Sequence, residues 1–358
     1  MSALKRILLA QIAESGPMRL SDYMAICLLH PQHGYYTTRP PFGVAGDFIT
    51  APEISQMFGE MLGLCLAQGW LDQGAPARFT LAELGPGRGT LMADVLRATR
   101  GVAGFHQAAQ VHLIEASPAL QSAQAKALAG YRVTWASDTA DLPDEAPLFL
   151  LANEFFDALP IRQFHREGAG WAEVVVGAKG DDLTFGKTAP MQVDALSARA
   201  ASTAQGEVVE YCPAATRIMA QIGARIAAHG GAALIVDYGA WGGFGDTFQA
   251  MRAHGYAPPL NDPGLADLTA HVDFAALAQA VSPMGLAAQF ATQGAYLAAL
   301  GLPLRAAKLA QHLQGPALAA HQAATDRLTN PAQMGDLFKV LGLVQKGAPP
   351  LAGFAQNP

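Results

Sequence analysis

The spacing of hydrophobic and polar positions changes along the chain and predicts its main elements. Four short apolar runs alternate with amphipathic helical stretches, which predicts strands at 79–84, 111–115, 131–135 and 147–152. A helix at 214–228 and a strand at 232–237 resume this alternation further along. Short buried strands that alternate with helices are typical of a parallel sheet with helices on both faces. The sequence therefore predicts an α/β fold.

The segments around this alternation have other spacings. The first 75 residues predict a helical region, with helices at 4–13, 20–29 and 55–70. Short alternating runs within 160–211 predict an antiparallel insertion, 239–270 predicts a long loop, and 290–338 predicts mostly helix. We therefore expect an N-terminal helical and lid region at 1–75 and one larger domain at 76–358.

A glycine-rich turn follows the first predicted strand and leads into a predicted helix. Its glycines are Gly85, Gly87 and Gly89. Many open α/β sheets form a nucleotide site in this way, because glycine lets the backbone approach a ligand and the helix start offers free N–H groups. An ordinary tight turn between strand and helix is the alternative.

The residues beside this turn favour a cationic ligand. Thr90 occupies the position at which a dinucleotide fingerprint has its third glycine. Glu83 puts a carboxylate two residues before the first glycine. S-adenosylmethionine carries a sulfonium and an ammonium group, so it suits this carboxylate better than a pyrophosphate does. We therefore expect S-adenosylmethionine as the cofactor, and a nicotinamide dehydrogenase is the weaker alternative.

The ends of the next two predicted strands complete the expected cofactor site. Glu115 ends the second strand, where a carboxylate can accept hydrogen bonds from both ribose hydroxyls of an adenosine. Ser117 follows it, and Asp138 lies beyond the third strand, where adenine often sits. A solvated strand end or a helix cap is the alternative for Glu115, and an ordinary loop aspartate is the alternative for Asp138.

The candidates for catalysis follow the fourth and fifth strands and the long loop. Asn153, Glu154 and Asp157 come just after a buried strand, and ligands of open α/β sheets bind at such carboxyl ends. The alternative is a helix start, with Asn153 as its N-cap and the acids in its first turn. Asp237 ends the fifth strand, and His271 lies near two aspartates, although a single histidine is often structural.

The loop at 33–52 is long for a compact domain, and such loops are usually functional. We expect it to fold over the cofactor. The side chains expected near the ligand are Asp47, Thr50 and Glu53. The alternative is that Thr50 or Ser55 only caps the following helix.

Composition narrows the function classes. With 51% apolar and 15% charged residues, the 358-residue chain is expected to bury a large core. A net charge of −6 argues against nucleic-acid binding, which needs clustered basic residues. The three cysteines have no metal-ligand spacing, so no metal site is expected. The sequence contains no apolar run of about 18 residues, the length needed to span a membrane, so membrane insertion is not expected. The first residues have neither a signal-peptide nor a transit-peptide pattern, which predicts a cytoplasmic protein.

Seven motifs follow one another through nearly the whole chain. They are Gly34-Tyr-Tyr36, Phe42-Gly-x-x-Gly-Asp-Phe-Ile-Thr-Ala-Pro-Glu-Ile-Ser-Gln-Met-Phe-Gly-Glu60, Glu83-Leu-Gly-Pro-Gly-Arg-Gly-Thr90, Glu115-Ala-Ser-Pro118, Asn153-Glu-Phe-Phe-Asp-Ala-Leu-Pro160, Asp237-Tyr-Gly239 and Asp267-Leu-Thr-Ala-His-Val-Asp-Phe274. Together they resemble the MidA family, which includes the mitochondrial complex I assembly methyltransferase. One departure is Ala51, where the family usually has serine, so a direct role for this position is not expected.

The resemblance implies a fold, a cofactor and a substrate. The fold is that of class I S-adenosylmethionine-dependent methyltransferases, Rossmann-like, with a mostly parallel seven-stranded sheet in the domain at 76–358. Gly85, Gly87 and Glu115 would bind the cofactor, and residues 153–157 would lie near the methyl group. The substrate would be an exposed arginine on a protein, such as a subunit of respiratory complex I. Without a transit-peptide pattern, the chain would be a bacterial, cytoplasmic member.

Three functions remain open on the sequence. The first is a protein arginine N-methyltransferase that supports complex I assembly, which the resemblance and the acidic candidates favour. The second is a methyltransferase of a small molecule or of another protein side chain. The third is a non-catalytic complex I assembly factor that keeps the cofactor fold, although the intact glycine turn, Glu115 and Asn153 speak against it. The sequence makes no prediction of the oligomeric state.

Overall fold

A computed structural model describes residues 1–38, 50–253 and 255–355, and every structural statement below concerns these residues. The chain divides into two units. The first comprises Met1–Phe48, Asp157–Arg217 and Trp241–Asp273, and the second comprises Ile49–Phe156, Ile218–Ala240 and Phe274–Pro358. The first unit thus combines three separate segments, whereas the sequence analysis divides the chain once, at residue 75.

The helices of the described chain confirm the predictions at 4–13, 20–29, 55–70 and 214–228. In order they are α1 Ala3–Ser15, α2 Leu20–Leu29, α3 Tyr35–Thr38, α4 Ala51–Ile54, α5 Gln56–Asp72, α6 Thr90–Ala98, α7 Phe105–Ala108, α8 Pro118–Ala127, α9 Pro213–His229, α10 Phe274–Val281, α11 Gln293–Ala299, α12 Leu302–Ala310 and α13 Gly315–Thr329.

The strands confirm all five predictions for the central alternation. In order they are β1 Met18–Arg19, β2 Phe79–Leu84, β3 Ala109–Ile114, β4 Val133–Ala136, β5 Leu148–Asn153, β6 Arg162–Glu167, β7 Gly170–Lys179, β8 Asp182–Lys187, β9 Val208–Tyr211, β10 Gly231–Ala240, β11 Gln249–Arg252, β12 Gly255–Ala257, β13 Asp267–Thr269, β14 Val272–Asp273, β15 Leu286–Thr292 and β16 Phe338–Gln345.

The second unit contains a sheet in which seven strands follow one another in the order β15-β16-β10-β5-β2-β3-β4. The five strands from β10 to β4 are parallel, and β16 and β15 add antiparallel pairs at one side. Every residue of β2 and β5 is buried, as expected for parallel strands covered on both faces. Strands β15 and β16 are not predicted from the sequence.

Two helices of the second unit pack closely through glycine. A Cβ atom added at Gly63 of α5 would lie 2.9 Å from the Cα atom of Val95 in α6, and one at Gly59 would lie 2.6 Å from the Cβ atom of Asp94. Substitution at either position would therefore force the two helices apart. Because α6 follows the glycine turn directly, this packing holds the helix whose start faces that turn.

An ion-pair network around one buried carboxylate joins α5 to α6 and α12. Glu60 is 4% exposed and accepts hydrogen bonds from Arg97 at 2.9 Å and from Arg305 at 2.7 Å. Burial raises the pKa of Glu60, but the hydrogen bonds from the two guanidinium groups outweigh this effect and hold the pKa below its ordinary value. This network is structural, since it joins helices.

The first unit is mainly antiparallel. A five-stranded sheet has the order β1-β7-β6-β9, with β8 also paired to β7, which confirms the predicted antiparallel insertion and adds β1 and β8 to it. The prediction of a loop over 239–270 is wrong, because β11, β12 and β13 form a second small sheet there. These strands have three or four residues each, too few to give a periodic signal.

The cores of the two units are separate clusters. In the second unit, α5 and α6 bury apolar side chains with those of the sheet strands. In the first unit, side chains of α1 and α2 form a cluster that also includes Tyr35 and Leu268. No helix among residues 1–38, 50–253 and 255–355 has the length and apolar character needed to cross a membrane.

Candidate active site

The carboxyl ends of three neighbouring parallel strands bring several of the predicted site residues to one edge of the sheet. The backbone N–H groups of Gly85, Glu115 and Glu154 donate to the next strand at 3.1, 2.9 and 2.9 Å, respectively. These bonds extend the ladders of β2, β3 and β5 by one residue. The residues that follow the three strands therefore lie side by side, as the sequence analysis expects of an α/β site.

The glycine turn has backbone angles that other residues rarely adopt. The φ angles are +57° at Gly85, +53° at Gly87 and +83° at Gly89, which is also the N-cap of α6. A Cβ atom at Gly85 would additionally lie 2.8 Å from the ring of Phe155. The turn therefore needs glycine both for its conformation and for its close contact with the segment after β5.

Two buried side chains at this edge have an oxygen atom without a hydrogen-bond partner among the described residues. They are Glu83 in β2, through Oε2, and Asn153 in β5, through Oδ1. Burial raises the pKa of Glu83 to about 8, although a hydrogen bond with the backbone of Met92 opposes this shift. The oxygen of Asn153 and, once its proton is lost, that of Glu83 are acceptors on adjacent strands. A ligand that brings donors or positive charge suits this edge and would favour the ionised form of Glu83.

Glu115 is the centre of a hydrogen-bond network that the sequence analysis did not predict. Its Oε1 accepts from the N–H of Ser117 at 2.8 Å, and its Oε2 accepts from Nε2 of Gln124 at 3.1 Å. The same Nε2 of Gln124 donates to the carbonyl of Gly87 at 2.9 Å, and Trp135 donates to Oε1 of Gln124 at 2.8 Å. Gln124 therefore connects the end of β3 to the glycine turn.

The sequence signal for Gln124 is weak. Gln124 is a fully buried amide on α8. Its burial, which only the structure shows, distinguishes it from the other polar residues of this helix. Burial raises the pKa of Glu115, and hydrogen bonds from Ser117, Gln124 and Ala116 oppose the shift. Glu115 is thus held in a fixed orientation by neutral donors.

Ser117 and Asp138 start short helical segments. Ser117 is the N-cap residue of α8, without a side-chain cap hydrogen bond, and only its backbone N–H contacts Glu115. Asp138 caps a 3₁₀ turn, and its Oδ1 accepts from the N–H of Ala140 at 2.8 Å. The role expected of Asp138 beside adenine stays a prediction.

The segment after β5 has an unusual backbone. Glu154 has φ of +50°, in the left-handed region, and no helix follows Asn153. The alternative of Asn153 as a helix N-cap is therefore wrong, because the left-handed residue after it turns the chain away from a helical course. Oε1 of Glu154 accepts from the N–H of Ala51 and from Nδ2 of Asn153, both at 3.1 Å. These two donors fix the orientation of the carboxylate.

Asp237 of β10 holds this segment in place. It is fully buried, and its Oδ2 accepts from the N–H groups of Phe155 at 3.2 Å and Phe156 at 3.0 Å. Its Oδ1 accepts from the N–H of Tyr238 at 3.0 Å. The sequence analysis considered Asp237 for chemistry, but its contacts are those of a residue that positions the backbone next to Glu154.

The segment at 50–55 contacts the glycine turn through Glu53. The hydroxyl of Thr90 donates to Oε1 of Glu53 at 2.6 Å, and Arg88 lies 3.5 Å from Oε2. Thr50 is the N-cap of α4 without a side-chain cap hydrogen bond, whereas Ser55 caps α5 by accepting from the N–H of Met57. The capping alternative is thus confirmed for Ser55, and Asp47 lies outside the described residues.

Two predicted catalytic residues belong to the first unit. Asp157 is buried, and its carbonyl accepts from the N–H of Ala270 at 3.0 Å. His271 is exposed, and its N–H donates to the hydroxyl of Thr247 at 2.8 Å. In the same unit, Tyr36 donates its hydroxyl to Asp267 at 2.8 Å. The catalytic roles of Asp157 and His271 stay predictions.

The chain matches one family model and several curated proteins over most of its length. Residues 61–292 match the model of a family described as "Putative S-adenosyl-L-methionine-dependent methyltransferase". A protein of Xenopus laevis named "Protein arginine methyltransferase NDUFAF7, mitochondrial" is 35% identical, over 99% of this chain and 89% of the frog protein. The human protein of the same name is also 35% identical, over 95% of this chain and 82% of its own length.

A solved structure has the same fold. A Burkholderia thailandensis protein, crystallised with S-adenosyl-homocysteine bound, superposes with a TM-score of 0.85 and is 28% identical, over 99% of this chain and 95% of its own. The fold of this chain is accordingly that of the class I methyltransferases.

These relatives also correct one prediction. The sequence analysis expects a bacterial, cytoplasmic protein, but the curated relatives from frog and human are named as mitochondrial. The recognition of the family itself is confirmed by the family model, by the curated relatives and by the solved structure. The chain belongs to this family and is an S-adenosylmethionine-dependent methyltransferase.

Proposed function

We propose that the protein methylates an arginine side chain of a protein substrate, and that this substrate is a subunit of respiratory complex I. The observation that carries the proposal is the carboxylate of Glu154. It lies at the carboxyl end of β5, beside the strand that leads into the glycine turn, and two donors fix its orientation. The names of the curated relatives support arginine as the acceptor.

The residues of the second unit fit the cofactor. S-adenosylmethionine supplies a methyl group whose carbon is activated for transfer by the attached sulfonium. The left-handed glycines let the turn come close to it, and the unpartnered oxygens of Glu83 and Asn153 suit its ammonium group. The end of β3 and the fixed orientation of its carboxylate support Glu115 as the proposed acceptor of hydrogen bonds from the ribose hydroxyls. We propose Gly85, Gly87 and Gly89 as the turn that holds the amino-acid part.

Glu154 would act on the acceptor. A carboxylate pairs with a guanidinium through charge-assisted hydrogen bonds, which fix the direction of the attacking nitrogen. During transfer, that nitrogen forms a bond to the methyl carbon while the carbon–sulfur bond breaks, and the electron pair of the broken bond goes to sulfur. The nitrogen then loses a proton, which Glu154 can accept or pass to solvent. Asp157 and His271 are proposed as further participants in proton removal.

Alignment is the main contribution that the protein can make to this reaction. The sulfonium already activates the methyl carbon, so holding the nitrogen in line supplies a barrier reduction of the order of 7–11 kcal/mol in favourable cases. The left-handed backbone at Glu154 and its two donors serve this purpose, because they limit the motion of the carboxylate.

The test separates cofactor binding from transfer. We expect Glu154→Gln to bind S-adenosylmethionine in calorimetry as the unchanged protein does, and to lose methyl transfer, because the amide cannot neutralise the guanidinium. Gly87→Val should lose cofactor binding, since valine is strained at φ of +53°. Glu14→Gln, which changes an exposed residue of α1, is the matched control and should change neither. Unchanged transfer by Glu154→Gln would remove Glu154 from the mechanism.

The acceptor is tested by mass spectrometry of complex I. Cells that lack the protein are complemented with the unchanged chain, with Glu154→Gln or with Glu14→Gln. A methyl group on one arginine of a complex I subunit should appear with the unchanged chain and with Glu14→Gln only. If complex I is unmethylated in all strains while purified protein still consumes S-adenosylmethionine with cell extract, the acceptor is another molecule.

A further inference from the structure

A second polar cavity lies at the opposite edge of the sheet from the methyltransferase site. It is a half-open pocket of about 640 Å³ in the second unit, and the two arginines at its rim are exposed to solvent. Its lining includes Arg78, just before β2, the first half of β3, and Arg132, just before β4. Because these strands are parallel, their amino ends lie at the edge away from Gly85 and Glu115. The cavity therefore does not belong to the cofactor site.

The charge of the cavity is opposite to that of the chain as a whole. The chain has a net charge of −6, yet the described residues that line the cavity include two arginines and no aspartate or glutamate. Arg132 has no carboxylate within 4.0 Å in the described chain, and Arg78 has one, the 79% exposed Glu145 at 3.9 Å. Neither guanidinium is neutralised at short range by a buried carboxylate.

Neutral groups of the lining add hydrogen-bonding capacity. Gln110 holds Arg78 in position, since its Oε1 accepts from Nε of the arginine at 3.0 Å. The hydroxyl of Tyr131 accepts from Arg100 at 2.8 and 3.1 Å, which leaves its own proton for an acceptor. Burial lowers the pKa of His106 and of His112 below the ordinary value, so the two arginines are the main source of positive charge in the lining.

We propose that this cavity binds a small molecule that carries phosphate groups, with Arg78 and Arg132 as its charged ligands. Guanidinium groups form paired hydrogen bonds with phosphate oxygens, and two of them at one cavity suit more than one negative charge. The volume is in the range of small-molecule sites and exceeds what a single inorganic ion needs. The site is independent of the proposed arginine methylation.

Pyrophosphate is the probe for the test. We expect calorimetry on the full chain, with S-adenosyl-homocysteine present in excess, to detect saturable binding of pyrophosphate. The excess excludes binding at the glycine turn. Arg78→Gln combined with Arg132→Gln should weaken this binding at least about tenfold, because each charge-assisted hydrogen bond is worth about 1.5 kcal/mol or more. ADP in place of pyrophosphate then distinguishes a nucleotide, which would bind more tightly, from a simple polyphosphate.

Two variants control this experiment. Lys308→Gln combined with Lys346→Gln removes the same charge from exposed positions of the second unit and should leave binding unchanged. Gln107→Glu adds a carboxylate to the cavity lining with little change of shape, so it should weaken binding even if the arginine variants fold poorly. Equal weakening by the lysine and arginine pairs, or no saturable binding in the unchanged chain, would overturn the proposal.

Discussion

The buried carboxylate of Asp237 offers a sharp test of how the active site is built. Three backbone N–H groups donate to it, from Phe155, Phe156 and Tyr238, at distances of 3.2, 3.0 and 3.0 Å. Two of these donors belong to the segment that follows Glu154 directly. Asp237→Asn keeps the shape of the side chain but replaces one acceptor oxygen with an NH₂ group.

The magnitude follows from the number of donors. The single oxygen of asparagine can face either the pair at 155 and 156 or the one at 238, so at least one buried N–H must face the NH₂ group. A buried donor left without an acceptor costs about 1–3 kcal/mol, and the remaining bonds lose the strengthening effect of the charge. We therefore expect Asp237→Asn to lower the free energy of unfolding by about 2–4 kcal/mol.

Function should change in a characteristic way. Because Asp237 contacts the backbone beside Glu154 and not the glycine turn, the variant should bind S-adenosylmethionine nearly as the unchanged protein does and transfer methyl groups more slowly. The measurements are urea unfolding, calorimetry with the cofactor, and turnover at saturating cofactor. Asp336→Asn, at an exposed position, is the control and should change none of these.

Two results would refute this reasoning. A loss of stability below about 0.5 kcal/mol, as for a surface substitution, would mean that the three hydrogen bonds do not matter. A loss of cofactor affinity as large as the loss of turnover would mean that Asp237 acts on the whole site and not on the segment after β5.

Three further predictions concern the surroundings of the site. Gly63→Ala should destabilise the protein by about 1–3 kcal/mol in thermal unfolding, because its Cβ atom would lie 2.9 Å from Val95, whereas Gly101→Ala meets nothing within 4 Å and should be nearly neutral. Burial raises the pKa of Glu83 from 4.5 to about 8, so between these pH values the folded chain keeps a proton that the unfolded chain releases. The free energy of unfolding should therefore fall as the pH rises from about 4.5 to 8. Glu83→Gln should flatten this pH profile in urea titrations. Glu60→Gln should cost about 1–3 kcal/mol in the same assay, since the buried carboxylate accepts from two arginines whose side chains are themselves 38% and 34% exposed; an effect no larger than that of an exposed ion pair would contradict the network.

The central sheet could be predicted because burial on both faces leaves a clear sequence signal. Strand β2 is apolar at four of its six positions and β5 at five of six, and all twelve residues are buried. The glycine turn was also predictable, since left-handed backbone angles select glycine. Both features are local, so a single sequence contains them.

The antiparallel strands β15 and β16 were not predictable in the same way. Leu286–Thr292 has three alanines and is only partly buried, so its composition favours helix and gives no clear alternation. Its conformation depends on pairing with β16, which lies more than forty residues later in the chain. The same reason explains Gln124, whose partners Gly87 and Trp135 come from other elements.

The segment after Asn153 is the clearest case of a distant residue that decides a local conformation. Asparagine followed by two acids within four positions is a good helix start, and the sequence analysis weighed it as one. The N–H groups at 155 and 156 instead donate to the carboxylate of Asp237, and Glu154 adopts the left-handed conformation. Residues 153–157 alone do not predict this conformation of Glu154, because the acceptor, Asp237, lies on another strand.

The choice of residue at position 154 is itself informative. Glycine would adopt φ of +50° without strain, whereas a residue with a side chain costs of the order of 1 kcal/mol or more there. Of the described non-glycine residues with positive φ, the other two are alanines, so Glu154 is the one with a charged group. The strain is offset by the hydrogen bonds of Ala51, Asn153 and Asp237, which together hold one carboxylate at the edge of the sheet. Several hydrogen bonds thus fix the orientation of a single charged group. Such an arrangement is expected where the charge must contact a substrate from a fixed direction.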